Sequence, residues 1–316
     1  METGITRLDM SLVTDIQAAR YTICRKEIES MTLPIIMHVN YCEQGQTIDE
    51  MCQKAVEWGY DGIEFRRVRN GINEEPEAYL DQIAAAVSRS GLKQVIFGSP
   101  GPNLTVSDAQ AREKEIAQTV HFYRLASERF KLTVNNTMAG FLVDKTFGGR
   151  EYDKHGSAAA TDEQWQYAAE GFKVLGDLAA ELGFRFAFET HMNYIHDLPA
   201  PTKKLIDMID KPVVGANLDF GNAVYFKKVP DLKESIDLLG DRLYYVHLKN
   251  SIGLGDGSRS AIGLADGEIN HRHYLKLLKQ AGYEGPICIE APRQGDREWF
   301  AQADLAYLKR LLNDLQ

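Results

Sequence analysis

A chain of 316 residues, 44% hydrophobic and 26% charged, can bury a large core, which excludes an intrinsically disordered protein. Its formal charge of −9, with no basic block to offset it locally, would repel a phosphate backbone and excludes nucleic acid as an expected partner. The opening METGITRLDMSLVTD lacks a basic and apolar leader, no apolar window is of membrane-spanning length, and Cys24, Cys42, Cys52 and Cys288 form no CxxC pair, so the expectation is a cytoplasmic protein with reduced thiols and no membrane contact.

Residues 1–32 precede the first strand-like run and are expected to form an N-terminal helical extension. From Leu33 the chain alternates short β-branched or aromatic runs with longer stretches of helical period, the pattern of repeated βα units and a parallel sheet. The strand candidates in chain order are LPIIMHV, GIEFRR, KQVIFG, KLTVNN, FRFAFET, VVGANLDF, LYYVHLK and PICIEA. Helix starts are marked at Thr47-Ile-Asp-Glu50, Ser107-Asp-Ala-Gln110 and Thr161-Asp-Glu-Gln164, where a hydroxyl three residues before Glu or Gln makes a capping box. Two helix-to-strand joints repeat, WGYDGIEFR and AGYEGPICIE, each with a glycine to end the helix and an aromatic to pack beneath it.

Eight such units predict an α/β fold, a (β/α)8 TIM barrel spanning residues 33–316 as one domain. A doubly wound sheet would instead need a Gly-rich phosphate turn after its first strand, where this chain reads HVNYCEQGQ. The segment 139–160, AGFLVDKTFGGREYDKHGSAAA, is too long for an ordinary βα loop and falls on the catalytic face, where it is expected to act as a lid.

In a parallel barrel every strand delivers its C-terminal end to one rim, so residues distant in sequence converge there. The last four strands end in Glu189, Asp219, His247 and Glu290. A lone histidine or carboxylate at a strand end is usually a satisfied core group or a cap. Four in one ring are different, because three crowded carboxylates without a cation would repel one another. The ring predicts an oxygen-rich site for one divalent metal ion, Mn²⁺ first, with Mg²⁺, Co²⁺ or Zn²⁺ as alternatives. Side chains two apart share a face of a strand, so His38, Glu64, Asn135, His191, Asn217 and Lys249 are expected to line a polar substrate pocket with Arg293 at its rim.

The runs FAFETH, GANLDFGN, VHLKN and GEINHRHYLKLLKQAGYEGPICIE resemble the xylose-isomerase-like barrels, which include sugar-phosphate isomerases, ketose 3-epimerases, inosose dehydratases and, more distantly, endonuclease IV. The resemblance runs from about Leu33 to the C-terminus. It implies that Glu189, Asp219, His247 and Glu290 hold one divalent metal, and that Glu189 and Glu290 act as base and acid on opposite faces of an enediolate. The expected function is a metal-dependent sugar isomerase or epimerase. An alternative is a lyase that cleaves a 3-oxo-glycoside, as in the C-glycoside deglycosidase α-subunits, or dehydrates an inosose. A non-catalytic sugar-binding barrel is a third reading. Family members often carry His three residues after the Asp, where this chain has Asn222, which weakens the epimerase assignment; the same gap and the acidic charge argue against the endonuclease. The expected partner is a small-molecule sugar or glycoside. The expected assembly is a homo-oligomer, or a hetero-oligomer with a small β-subunit for the deglycosidase reading.

Overall fold

The computed structural model describes residues 33–98, 100–291 and 293–316. The proposed extension at 1–32 therefore lies outside the described residues. Eight parallel strands form one sheet: β1 (Ile35–His38), β2 (Gly62–Arg66), β3 (Gln94–Gly98), β4 (Val134–Thr137), β5 (Arg185–Glu189), β6 (Val214–Asp219), β7 (Leu243–Leu248) and, after the antiparallel hairpin β8 (Asn250–Gly253) and β9 (Arg259–Ile262), β10 (Ile287–Ile289). Their order, β3-β2-β1-β10-β7-β6-β5-β4, is a (β/α)8 TIM barrel with its seam between β3 and β4. The seam has no backbone ladder, yet side chains cross it: Asn135 Oδ1 accepts from the Phe97 amide at 2.9 Å, and Gln94 Nε2 donates to Thr133 Oγ1 at 3.0 Å. Asn135, expected to face the pocket, belongs to this closure, because its neighbours in the β4 alternation, Val134 and Asn136, take the inward face.

The alternation of each strand decides what fills the barrel. Ile36, Ile96, Val134, Ala187, Tyr245 and Cys288 form an apolar plug inside it. Two residues further along the same strands the inward positions become His38, Gly98, Asn136, Glu189, His247 and Glu290. The outward residues pack in a larger cluster under the helices, including Met37, Phe65, Phe97, Phe186, Phe188 and Leu218. Burying each large apolar side chain there contributes roughly 1.5–3 kcal/mol.

Helix ends follow the local chemistry. Thr47 and Thr161 make complete capping boxes with Glu50 and Gln164. Before the helix Ala109–Arg129 the cap is Asp108 and not Ser107, since the Asp108 carboxylate accepts from the Gln110 and Ala111 amides and does the hydroxyl's work one residue later. Gly59 (φ 93°) and Gly282 (φ 70°) make the left-handed turns of the two repeated joints, with Tyr60 and Tyr283 buried beneath. No helix among the described residues is long and apolar enough to cross a membrane.

Two buried histidines make stability sensitive to acid. His196 donates from Nδ1 to the Glu189 carbonyl and accepts from the Ala139 amide, and His271 Nδ1 meets the Leu264 carbonyl. Burial lowers both pKa values to about 4. Between that value and the ordinary 6.5 the unfolded chain takes up protons that the fold refuses, so each contribution is intact above pH 6.5 and is lost as the pH falls towards 4. The stability advantage of the protein over a His271→Gln variant is expected to shrink by about 3 kcal/mol between pH 7 and pH 4. Urea denaturation of both proteins across that range measures it; a constant difference would contradict the account.

Candidate metal centre and active site

The four strand-end residues meet. Glu189, Asp219, His247 and Glu290 each offer a ligand atom within 4.8 Å of the others, and three of the four residues are fully buried. The register explains the meeting, because Asp219 pairs with His247 across β6 and β7, while His247 pairs with Cys288, two residues before Glu290. His247 Nδ1 lies 3.1 Å from Glu290 Oε2 and 3.9 Å from both Glu189 Oε2 and Asp219 Oδ2. Lys249, two residues on and on the same face, brings its ammonium to 2.7 Å from Asp219 Oδ2 and 3.0 Å from Glu290 Oε2.

Amides and backbone hold the carboxylates in place. Asn222 Nδ2 donates to Glu189 Oε1 at 3.1 Å and Asn136 Nδ2 to Glu189 Oε2 at 2.8 Å, so both Glu189 oxygens are occupied. Asp219 Oδ1 accepts from the Asn222 amide. Its other oxygen, Oδ2, is buried and faces the Lys249 ammonium at 2.7 Å and His247 Nδ1 at 3.9 Å. Glu290 is the most open of the four, with a side chain 16% exposed and a long contact from Asn40 Nδ2 at 3.4 Å. His38 stands beside it, Nε2 3.9 Å from Glu290 Oε1, with its ring edge-on to His247.

Crowding sets the charges. Burial, with Lys249 partly opposing it and Glu189 and Glu290 adding to it, pushes Asp219 up to about 7. Burial acts the same way on Glu290, but Lys249, His38 and His247 outweigh it and hold that carboxyl well below the usual range. The split has a physical sense: the fully enclosed carboxylate takes the cost of like charges, and the one nearest the cations stays ionised.

The residues fit a hard divalent cation. Three carboxylates and one imidazole converge, a donor set of hard oxygens and one nitrogen suited to such an ion. A second triple, Glu64, His247 and Cys288, is also close. It fits a metal poorly, because burial raises the Cys288 thiol well above its ordinary value and keeps it neutral.

The other expected pocket residues divide. Lys249 and His38 join the cluster, and Asn217 supports it from one layer below, its Nδ2 donating to Asn136 Oδ1 at 3.2 Å. Glu64 is 1% exposed and sits behind His247, 2.8 Å from its Nε2. Arg293 is turned away, pairing with the buried Asp304 at 2.7 Å and stacking on Phe300, because Asp304 also anchors Tyr41 and needs a counter-charge. His191 Nδ1 lies 2.9 Å from the Met192 carbonyl, with the ring edge-on to Tyr194 in the loop after β5. Asn136, Asn222, Asn40 and Tyr245 complete the site. Asn136 was hidden by an Asn-Asn doublet that leaves the strand's parity open.

Segment 139–160 follows β4 on the same rim. It is pinned to the loop after β5 by Leu142 N to Asn193 O (2.7 Å), Ser157 N to Asp197 Oδ2 (2.9 Å) and Ala139 N to His196 Nε2 (3.0 Å). Between this segment and the β8–β9 hairpin runs a groove of about 580 Å³ lined by Arg150, Tyr152, Tyr225, Phe226 and Arg259 among others.

Comparison with known proteins agrees with this architecture. An inosose dehydratase of Clostridium perfringens is 28% identical over 152 residues, covering 43% of this chain and 50% of that protein, so the chain spans about half the length of the curated relatives it matches. The D-psicose 3-epimerase of Clostridium cellulolyticum H10, solved with D-tagatose, has the same fold with a TM-score of 0.69 at 16% identity, over 89% of this chain and 99% of that one. A xylose isomerase-like TIM barrel protein from Mycobacterium smegmatis, solved in complex with magnesium, gives a TM-score of 0.68 at 19% identity over 90% and 97%. The xylose isomerase-like TIM barrel family matches residues 52–311, most of the barrel and all four converging strand ends, and the chain belongs to that family.

Proposed function

We propose that this chain is a divalent-metal-dependent enzyme that removes a proton from the carbon beside the carbonyl of a sugar or polyol ketone and returns it to the other face, an isomerase or epimerase reaction. One observation carries the reading: three carboxylates, an imidazole and an ammonium converge at the mouth of the barrel, above its apolar plug. The cation, when bound by Glu189, Asp219, His247 and Glu290, would polarise the substrate carbonyl and make the neighbouring C–H more acidic. Glu290, the most open of the carboxylates, takes the proton. Glu189, on a strand that is not its neighbour and held by two amides, serves the opposite face. Lys249 offsets the negative charge that develops on oxygen. His38 and Asn40, both beside Glu290, orient hydroxyl groups.

A second reading ends in elimination of a hydroxyl or glycosyl group after the same proton abstraction. The inosose dehydratase named among the relatives favours it. In that reading Lys249 is close enough to Glu290 to protonate the leaving oxygen.

The test incubates Mn²⁺-loaded protein with D-fructose, D-tagatose and an inosose and follows the products by NMR and ultraviolet absorbance. Epimerised ketose is the expected result. A conjugated enone from the inosose alone would establish the second reading, and unchanged substrates with every metal would overturn both.

A further inference from the structure

Glu64 is the least expected charge in the barrel. A carboxylate that is 1% exposed is costly unless its oxygens are satisfied, and three donors converge on it. Tyr245 OH and His247 Nε2 each approach Oε2 at 2.8 Å, and Asn136 Nδ2 approaches Oε1 at 3.0 Å. Room for it comes from β3, where a Cβ on Gly98 would overlap Glu64 Oε1. Gly98 has no positive φ, so the glycine is required there by space and not by its backbone.

We propose that Glu64 is the positioning residue of the metal centre: by accepting the Nε2 proton of His247 it fixes the ring so that Nδ1 presents its lone pair to the side where Glu189, Asp219 and Glu290 converge. The inference rests on the metal reading above. An imidazole binds a metal through one nitrogen only, and the partner of the other nitrogen selects the tautomer, holds the ring plane and raises the basicity of the ligand. The distances distinguish the two nitrogens here. Nδ1 faces the three carboxylates at 3.1–3.9 Å, while Nε2 points at Glu64. Asn136 ties the two levels together, since one amide nitrogen reaches both Glu64 and Glu189. Glu64 therefore acts on the reaction through His247 and touches no substrate.

The test compares the unmodified protein with Glu64→Gln, which removes the charge at constant shape, and with Gly98→Ala, which keeps the charge and displaces it. Free Mn²⁺ is titrated by electron paramagnetic resonance, and ¹⁵N-histidine spectra are recorded with diamagnetic Mg²⁺. The unmodified protein should show one ring N–H held at Nε2, and both variants should lose Mn²⁺ affinity by about 10–100-fold with that N–H signal shifted or lost. Should Glu64→Gln fail to fold, the milder Gly98→Ala carries the same comparison. Unchanged affinity and an unchanged ring signal in a folded variant would overturn the inference and leave the metal site standing. No Mn²⁺ binding by the unmodified protein would overturn the metal reading itself, and this inference with it.

Discussion

A Glu290→Gln variant is expected to lose proton transfer by about 10²–10⁴-fold, the usual contribution of a positioned acid or base. Glu290 differs from Glu189 in its partners. Both Glu189 oxygens are taken by the amides of Asn136 and Asn222, whereas Glu290 has a partly open side chain and faces Lys249 and His247. Lys249 is the main group that keeps it ionised against burial, so it stands as an open anion beside the site. An amide in its place keeps an oxygen for the metal with less charge, so the variant is assayed at saturating Mn²⁺, and it has no lone pair basic enough for carbon acids. The variant should therefore still bind substrate, with kcat falling much more than KM rises, as expected when an interaction made in the transition state is removed. Steady-state kinetics on whichever substrate turns over checks this; a change confined to KM would remove Glu290 from the chemistry.

The second large effect concerns Asp219. It is fully buried, its backbone is locked by Thr190, and its Oδ2 faces Lys249 at 2.7 Å. Asp219→Asn removes one negative charge from the crowd and leaves Lys249 facing an amide. Truncating one partner of a buried charge pair at a binding site costs about 2–5 kcal/mol of affinity, so metal binding should weaken by about 10³-fold. Thermal unfolding with and without Mn²⁺ provides the readout, since a ligand that binds only the folded state raises its stability by mass action. The unmodified protein should gain stability as Mn²⁺ is added. Asp219→Asn should not respond over the same concentrations; an equal gain in both would contradict the ligand assignment.

Much of this was legible in the sequence because the barrel has simple rules. Strand ends share a rim, and alternate residues share a face, so Glu189, Asp219, His247, Lys249 and Glu290 could be placed together from spacing alone. What could not be read was which of two adjacent positions points inward when both are polar. On β4 the doublet Asn135-Asn136 offers no apolar residue to break the tie, and the structure gives Asn136 to the site and Asn135 to the seam. Glu64 was on the expected face, but it lies behind His247 in register with Ile96 of β3, a depth that composition does not encode. Arg293 sits at a rim position in sequence, yet a buried acid from the last helix, Asp304, claims it. Such long-range charge pairing leaves no local signal. At Ser107 the reverse holds: the capping pattern was local, and a neighbouring aspartate satisfied the same amides first.

The most direct test of the central claim is solvent exchange in D₂O, followed by ¹H NMR on a ketose or inosose with metal-loaded protein, metal-stripped protein and Glu290→Gln side by side. The account predicts deuterium at the carbon beside the carbonyl with the metal-loaded protein, little with the stripped protein and little with the variant. Product formed with no deuterium incorporated, at the same rate with and without metal, would contradict it.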